Sequence, residues 1–256
     1  MSPAYPPARG LLAGKTVLIT AAAGTGIGSA LARRCLEEGA TIAISDVHER
    51  RLAQTIETLC AFGPRPLSFV CDVTREDQVR AMVDGTLSRL GHIDVLMNNA
   101  GLGGYAPLSS MTDEAWNRVL DVTLTGTMRC TRAVLPLMVA RGQGTIVNNA
   151  SVLGWRAQEG QSHYAAAKAG VMAFTRCVAM EVAKSGVRVN AVAPSLANHP
   201  FLAKVTPAGL LEALAEREAM GRSAEPWEVA NVMLFLASDL SSYLTGEVLA
   251  VSSQQP

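Results

Sequence analysis

The chain has 256 residues, 22 of them basic and 22 acidic, so its formal net charge is zero; 49% of residues are hydrophobic and 17% charged. That length suits one large domain or two small ones, and the composition is too apolar for a disordered chain. Balanced charge excludes the basic stripe that a nucleic acid or an anionic membrane surface requires.

The first thirteen residues hold three prolines and no apolar run behind a basic cluster, so they read as a flexible arm and not as a signal peptide. The uncharged run Thr16–Ala32 is 17 residues long and is broken by glycines. It is too short for a spanning helix, which needs about 20. Cys35, Cys60, Cys71, Cys130 and Cys177 are scattered, without a CxxC pair or histidine partners. They read as buried reduced thiols of a cytoplasmic protein, with no metal site.

From residue 14 onward, short β-rich runs alternate with amphipathic helical ones. Strands are expected at Lys15–Thr20, Thr41–Asp46, Leu67–Cys71, Ile93–Asn98, Thr145–Asn149, Val187–Val192 and Glu247–Val251. Helices are expected at Ile27–Glu38, His48–Phe62, Arg75–Leu90, one long segment Asp113–Ala140, Ser162–Lys184 and Pro226–Ser238. Alternation of this kind implies an α/β fold: one doubly wound, seven-stranded parallel sheet with helices on both faces. No linker or repeat divides residues 14–256, which read as a single domain. Residues 195–221 break the rhythm and read as an excursion, a lid over the sheet.

The first strand runs into Gly24, Gly26 and Gly28. Glycine at a strand-to-helix turn permits positive φ and lets a phosphate approach bare amides at a helix N-terminus. The same triplet also suits a tight turn without a ligand, and only its place after the first strand of a βαβ unit strengthens the binding reading. Asp46 ends the second strand, where a carboxylate accepts hydrogen bonds from ribose hydroxyls and repels a 2′-phosphate. Arg50 and Arg51 read as helix surface, so the pattern favours NAD over NADP. A helix N-cap is the plain alternative role for Asp46. Upstream, Gly10-Leu-Leu-Ala-Gly14-Lys15-Thr16 imitates a P-loop, but it has the wrong spacing and precedes a strand, so it is rejected.

Tyr164 and Lys168 are four residues apart on an expected helix and therefore share a face. An ammonium nearby lowers a phenol's pKa and favours phenolate as a general base. Ser151 follows the fifth strand, at the carboxyl end of the sheet where ligands of such folds bind. No GxSxG elbow supports a serine nucleophile instead. His163, adjacent to Tyr164, points to a different helix face and reads as bland.

The glycine loop, Asn98-Asn99-Ala100-Gly101, Ser151 and Tyr164-xxx-Lys168 together resemble the short-chain dehydrogenase/reductase family from Leu11 to Val251. The resemblance implies a Rossmann-type enzyme that transfers hydride between a nicotinamide cofactor and a secondary alcohol or ketone. It implies Tyr164 as acid/base, Ser151 as holder of the substrate oxygen, and Lys168 as ligand of the nicotinamide ribose and modulator of the tyrosine. It also implies cofactor contacts at Thr20, Ile27, Asp72, Val73, Asn99, Ala100, Gly101 and Pro194, and a homotetramer. Four departures stand out. The loop is one residue longer than TGxxxGxG, and alanine replaces its first glycine. Thr123 stands where an asparagine is usual, Ser195 follows Pro194 in place of glycine, and His199 replaces a threonine.

The expected substrate walls are Leu102–Tyr105, Val152–Gln158 and Ser195–Gly221. Phe201, Leu202, Val205, Leu210, Leu211 and Leu214 suit a bulky apolar substrate, or simply pack the lid onto the body. The segments AAAGTGIGSA, DVHERRL, NNASVLGWRAQ and SSYLTGEV resemble the branch of the family that serves actinobacterial steroid catabolism and acts on acyl-CoA thioesters. In that case Arg156 or Lys204 would meet the CoA phosphates. The rivals are an NADPH-dependent 3-oxoacyl thioester reductase and a non-catalytic NAD-binding regulator.

Overall fold

A computed structural model describes residues 3–198 and 209–253. Seven parallel strands form one sheet in the order β3-β2-β1-β4-β5-β6-β7. They are β1 (Thr16–Ile19), β2 (Thr41–Asp46), β3 (Leu67–Val70), β4 (Val95–Asn98), β5 (Gly144–Asn149), β6 (Val187–Pro194) and β7 (Val248–Val251). The inner strands read as continuous apolar runs because both of their faces are covered. All four residues of β1 and of β4 are buried, whereas the edge strands β3 and β7 are only partly so.

Helices α1 (Ile27–Glu37), α2 (Glu49–Leu59) and α8 (Pro226–Ala237) cover one face, where Leu31, Leu52 and Met233 pack on Val17 and Ile19. Helices α3 (Glu76–Leu90), α5 (Gly126–Arg141) and α6 (Ser162–Val182) cover the other, where Val79, Val134 and Val178 pack on Leu18 and Leu96. Alternate residues of one strand thus enter opposite cores, as a pleated strand dictates. The remaining helices are α4 (Asp113–Leu120) and α7 (Leu210–Arg217).

Three expectations need correction. The long helix expected at 113–140 is interrupted by a π-helical turn at Asp121–Thr125, between α4 and α5. There Thr123 turns its hydroxyl to Leu102, accepting from its N–H at 3.0 Å and donating to its carbonyl at 3.2 Å. The Thr127 hydroxyl in turn donates to the Thr123 carbonyl at 2.9 Å. The arm is not loose over residues 3–12. The Tyr5 hydroxyl donates to Glu37 at 2.7 Å, its ring packs edge-on against Trp227, and Glu38 accepts from the N–H groups of Arg9 and Leu11. The cysteines are all free thiols, but Cys60 and Cys177 are exposed while Cys35, Cys71 and Cys130 are buried. Cys60 is the C-cap of α2, and Cys177 lies on the outward face of α6.

Among the described residues no helix is long and apolar enough to cross a membrane, and no cluster of ligating side chains would hold a metal ion.

Candidate active site

A cleft of about 2020 Å³ opens at the carboxyl ends of the strands. In the strand order, β1 and β4 are neighbours from which the chain winds in opposite directions, and a doubly wound sheet opens its ligand crevice at such a switch point. The volume exceeds that of ordinary small-ligand pockets, roughly 300–1,000 Å³, leaving room for a dinucleotide and a substrate together.

At one side the glycine loop turns from β1 into α1. Gly24 has φ of +91° and donates its N–H to the Thr55 hydroxyl at 3.0 Å. Gly28 must be glycine, because a Cβ there would lie 2.1 Å from the Ala21 carbonyl oxygen and 2.6 Å from the Asn99 amide nitrogen. The first turn of α1 contains no acidic side chain, and its N-cap, Gly26, makes no side-chain cap. Its amides are therefore oriented as an anion site requires. Ala21, standing where the family pattern has glycine, holds φ of +51°, the sole non-glycine with positive φ among the described residues. The conformation that favours glycine persists there without one.

Asp46 lies at the end of β2 and is 7% exposed. It accepts from Ala23 N–H at 3.2 Å and His48 N–H at 2.9 Å. Burial raises its pKa, opposed by the backbone amides of Ala23 and Val47 and by Arg51. Arg51 is not plain helix surface: its Nη2 lies 4.0 Å from Asp46 Oδ1 and it lines the cleft, because α2 begins only two residues earlier. Asp72 closes a turn by accepting from the Thr74 N–H and hydroxyl, and Val73, Ala100 and Gly101 line the cleft beside it. Ile27 and Pro194 also line it.

Thr20 sits differently from its expected place as a cofactor contact. It is 1% exposed, and its hydroxyl accepts from the N–H groups of Asn99 and Ala100 at 3.0 Å each. It clamps β1 to the segment after β4 from beneath the cleft.

At the catalytic end, Ser151, Tyr164 and Lys168 come together. The Ser151 hydroxyl accepts from Leu153 N–H at 3.2 Å and shares a hydrogen bond with the Tyr164 phenol. Lys168 is 3% exposed, lies 5.5 Å from the Tyr164 ring centroid and donates to the Asn149 carbonyl at 2.5 Å. Burial pushes Tyr164 up to about 12, against a lowering hydrogen bond from Ser151, and pushes Lys168 down to about 7. The expected lowering of the tyrosine by the lysine is not seen in the free site, where desolvation dominates and the same burial weakens the ammonium itself. His163 is buried, with Nδ1 unpartnered.

One residue that the sequence did not flag, Asn149, links the two ends of the site. Asn149 accepts from Lys168 through its backbone carbonyl and donates its side-chain amide to Asn99 Oδ1 at 3.0 Å; Asn99 in turn donates to the Ala21 carbonyl at 3.0 Å. A polar chain thus joins the glycine loop to Lys168. Arg156 and Leu153, with Leu211 and Leu214 of α7, line the substrate side. Of the expected lid residues, His199, Phe201, Leu202, Lys204 and Val205 lie outside the described residues, as does the Leu210 side chain.

The chain's similarities agree with this geometry. A family model described as enoyl-(acyl carrier protein) reductase matches residues 21–253. The chain is 63% identical to a Mycobacterium tuberculosis (5R,7aS)-5-hydroxy-7a-methyl-1-oxo-2,3,5,6,7,7a-hexahydro-1H-indene-carboxyl-CoA reductase, over 96% of this chain and 95% of that one. It is 43% identical to a cis-4-hydroxycyclohexanecarboxylate dehydrogenase of Sinomonas cyclohexanicum, over 92% and 94%. A crystal structure of a short-chain dehydrogenase from Mycobacterium smegmatis superposes with a TM-score of 0.88 at 55% identity, covering 100% of this chain and 99% of that one. The chain belongs to the short-chain dehydrogenase/reductase family and is an NAD(P)-binding oxidoreductase.

Proposed function

We propose that the chain is an NAD-dependent dehydrogenase/reductase that interconverts a ring secondary alcohol and its ketone, on a steroid-derived acyl-CoA thioester. The observation that carries the cofactor choice is Asp46, buried at the end of β2 with its carboxylate on the cleft. A 2′-phosphate placed there would meet a like charge. The substrate class rests on the 63% identical indene-carboxyl-CoA reductase and on the apolar wall of Leu153, Leu211 and Leu214. Arg156 lines the same cleft, where it would meet the phosphates of CoA.

When bound, the nicotinamide supplies the hydride acceptor or donor. The chain's own groups manage the proton and the geometry. Ser151 Oγ orients the substrate oxygen beside Tyr164 Oη. In reduction, Tyr164 gives its proton to the oxygen as the ketone carbon gains hydride; in oxidation, the phenolate takes the hydroxyl proton as the carbon loses it. With a pKa near 12, the free site holds the phenol protonated, ready to donate. Oxidation requires the phenolate, so its rate rises with pH, and nearby positive charge favours that ionised form. Lys168, fixed by the Asn149 carbonyl, supplies part of that charge once protonated.

Arg51 favours a second reading, an NADPH-dependent 3-oxoacyl thioester reductase, because its guanidinium near Asp46 offers a partner for a 2′-phosphate. Steady-state kcat/KM with each dinucleotide decides between them. We expect NAD to be preferred, and Asp46→Ser to move the NAD-to-NADP ratio by ~10²-fold toward NADP. A wild-type preference for NADPH overturns the NAD reading. The intact Ser151, Tyr164 and Lys168 speak against an idle regulator. A homotetramer, as the family resemblance implies, would be measured by light scattering, and the five free thiols suit a reducing cytoplasm.

A further inference from the structure

The loop between β4 and α4 carries two glycines that neither the backbone nor the packing requires. Gly103 and Gly104 are absent from the glycines with positive φ. A Cβ at Gly104 would meet nothing within 4 Å, and one at Gly103 would lie 3.5 Å from Tyr164 Cδ2 and 3.6 Å from Cε2, an ordinary contact. A Cβ at either position would meet no steric conflict.

The loop is nonetheless held at both ends. Leu102 is bonded through its N–H and carbonyl to the Thr123 hydroxyl, at 3.0 and 3.2 Å. Ala106 N–H donates to the Gly160 carbonyl at 2.9 Å. The Tyr105 ring lies so close to Gly160 that a Cβ there would sit 2.5 Å from it, and the Tyr105 hydroxyl bonds Glu159 at 3.3 Å. The largest side chain of the loop is thereby drawn onto the 159–160 segment. Between the anchors, bare backbone faces the cleft beside the Tyr164 ring.

We propose that Gly103–Gly104 forms a notch that admits the ring flanking the reacting carbon, and that these two positions set the preference for fused-ring over single-ring secondary alcohols. The proposal rests on the ring-alcohol reading above and deepens it. A carbinol carbon within a ring cannot swing its neighbours away from Tyr164 as an open chain can. A second fused ring must therefore lie over whatever borders the phenol, and only a side-chain-free segment leaves it room. The misfit of one methylene in an apolar pocket costs roughly 10–200-fold in selectivity, and a leucine in the notch presents several carbons.

The test compares kcat/KM for the CoA thioester of a hydroxydecahydronaphthalene carboxylic acid with that for the CoA thioester of 4-hydroxycyclohexanecarboxylic acid, read as a ratio and, in reverse, with the matching ketones. Gly104→Leu is expected to lower the ratio ~10²-fold, and Gly104→Ala to lower it less. Dinucleotide binding reports that each variant is folded; if Gly104→Leu is not, Gly104→Val carries the same measurement. A ratio that stays constant while both rates fall overturns the notch and leaves the ring-alcohol reading standing. A wild-type chain that turns over neither ring in either direction overturns that reading and the notch with it.

Discussion

Two glycine-bearing loops line the same cleft and use the residue for opposite reasons. In the loop after β1, Gly28 is wedged against the Ala21 carbonyl and the Asn99 amide, and Gly24 adopts a left-handed conformation. In the loop after β4, Gly103 and Gly104 have ordinary φ and open space or ordinary contact at the β-position. The first loop uses glycine to fold tightly enough to present amides to an anion. The second uses it to leave volume unfilled. On the reading proposed above, tightly folded backbone would hold the dinucleotide, whereas the substrate side would be shaped by what has been left out.

The chemistry between the two loops can be removed without touching either. Tyr164→Phe deletes the atom proposed to exchange a proton with the substrate oxygen. Turnover should fall ~10³-fold, about 4 kcal/mol of transition-state stabilisation. Dinucleotide binding, followed by protein fluorescence, should persist. Substantial turnover without the phenol would refute the role given to Tyr164.

Gly28→Ala tests the wedge. Its Cβ would stand 2.1 Å from a backbone oxygen, which cannot rotate aside as a side chain can. We expect a loss of about 3 kcal/mol in urea unfolding, at the upper end of ordinary overpacking, together with weakened dinucleotide binding. A variant as stable as the wild type would show that the loop after β1 gives way, and the contrast between the loops would fail.

Much of this contrast was legible from the residues alone, and the exceptions share a cause. The sheet was legible because parallel strands buried on both faces leave continuous apolar runs such as Val17–Ile19 and Ile42–Ile44. Ser151, Tyr164 and Lys168 were legible because their spacing places them at one sheet end and on one helix face. The π-helical turn was not, since an apolar periodicity runs through it and only the pairing of Thr123 with Leu102 marks it. The grip of Asn149 on Lys168 was not, because it is made by a carbonyl that every residue carries. Arg51 was misplaced because one turn of α2 decides whether it faces water or Asp46.

Lys168 sits where the polar chain from the first loop meets the catalytic end, and its burial predicts a pH effect of definite sign. Its pKa is held near 7 in the folded free protein, against an ordinary value of 10.5. Below about 7 the lysine is charged in both folded and unfolded chains, and the folded state bears the full cost of a buried charge. Between 7 and 10.5 the unfolded chain binds more protons, so stability rises with pH until the cost is gone. Lys168→Met should therefore raise Tm most at pH 6, with the advantage closing by pH 10, even as turnover is lost. A constant Tm difference across that range would show that the ammonium is solvated in the cleft and carries no such cost.

The smallest effect completes the comparison. Gly104→Ala adds a methyl group where nothing lies within 4 Å and where φ is ordinary. The folded loop should accept it without strain, while the unfolded chain loses conformations that glycine alone can reach. Folding should therefore gain about 0.4–1 kcal/mol, read as a raised urea midpoint with unchanged slope. The same substitution thus carries opposite signs at Gly28 and Gly104, although both residues line one cleft and belong to loops that follow adjacent strands. A loss of stability at Gly104 would mean that the loop after β4 needs its glycine for conformation, and that the open space beside Tyr164 is incidental to how the chain folds.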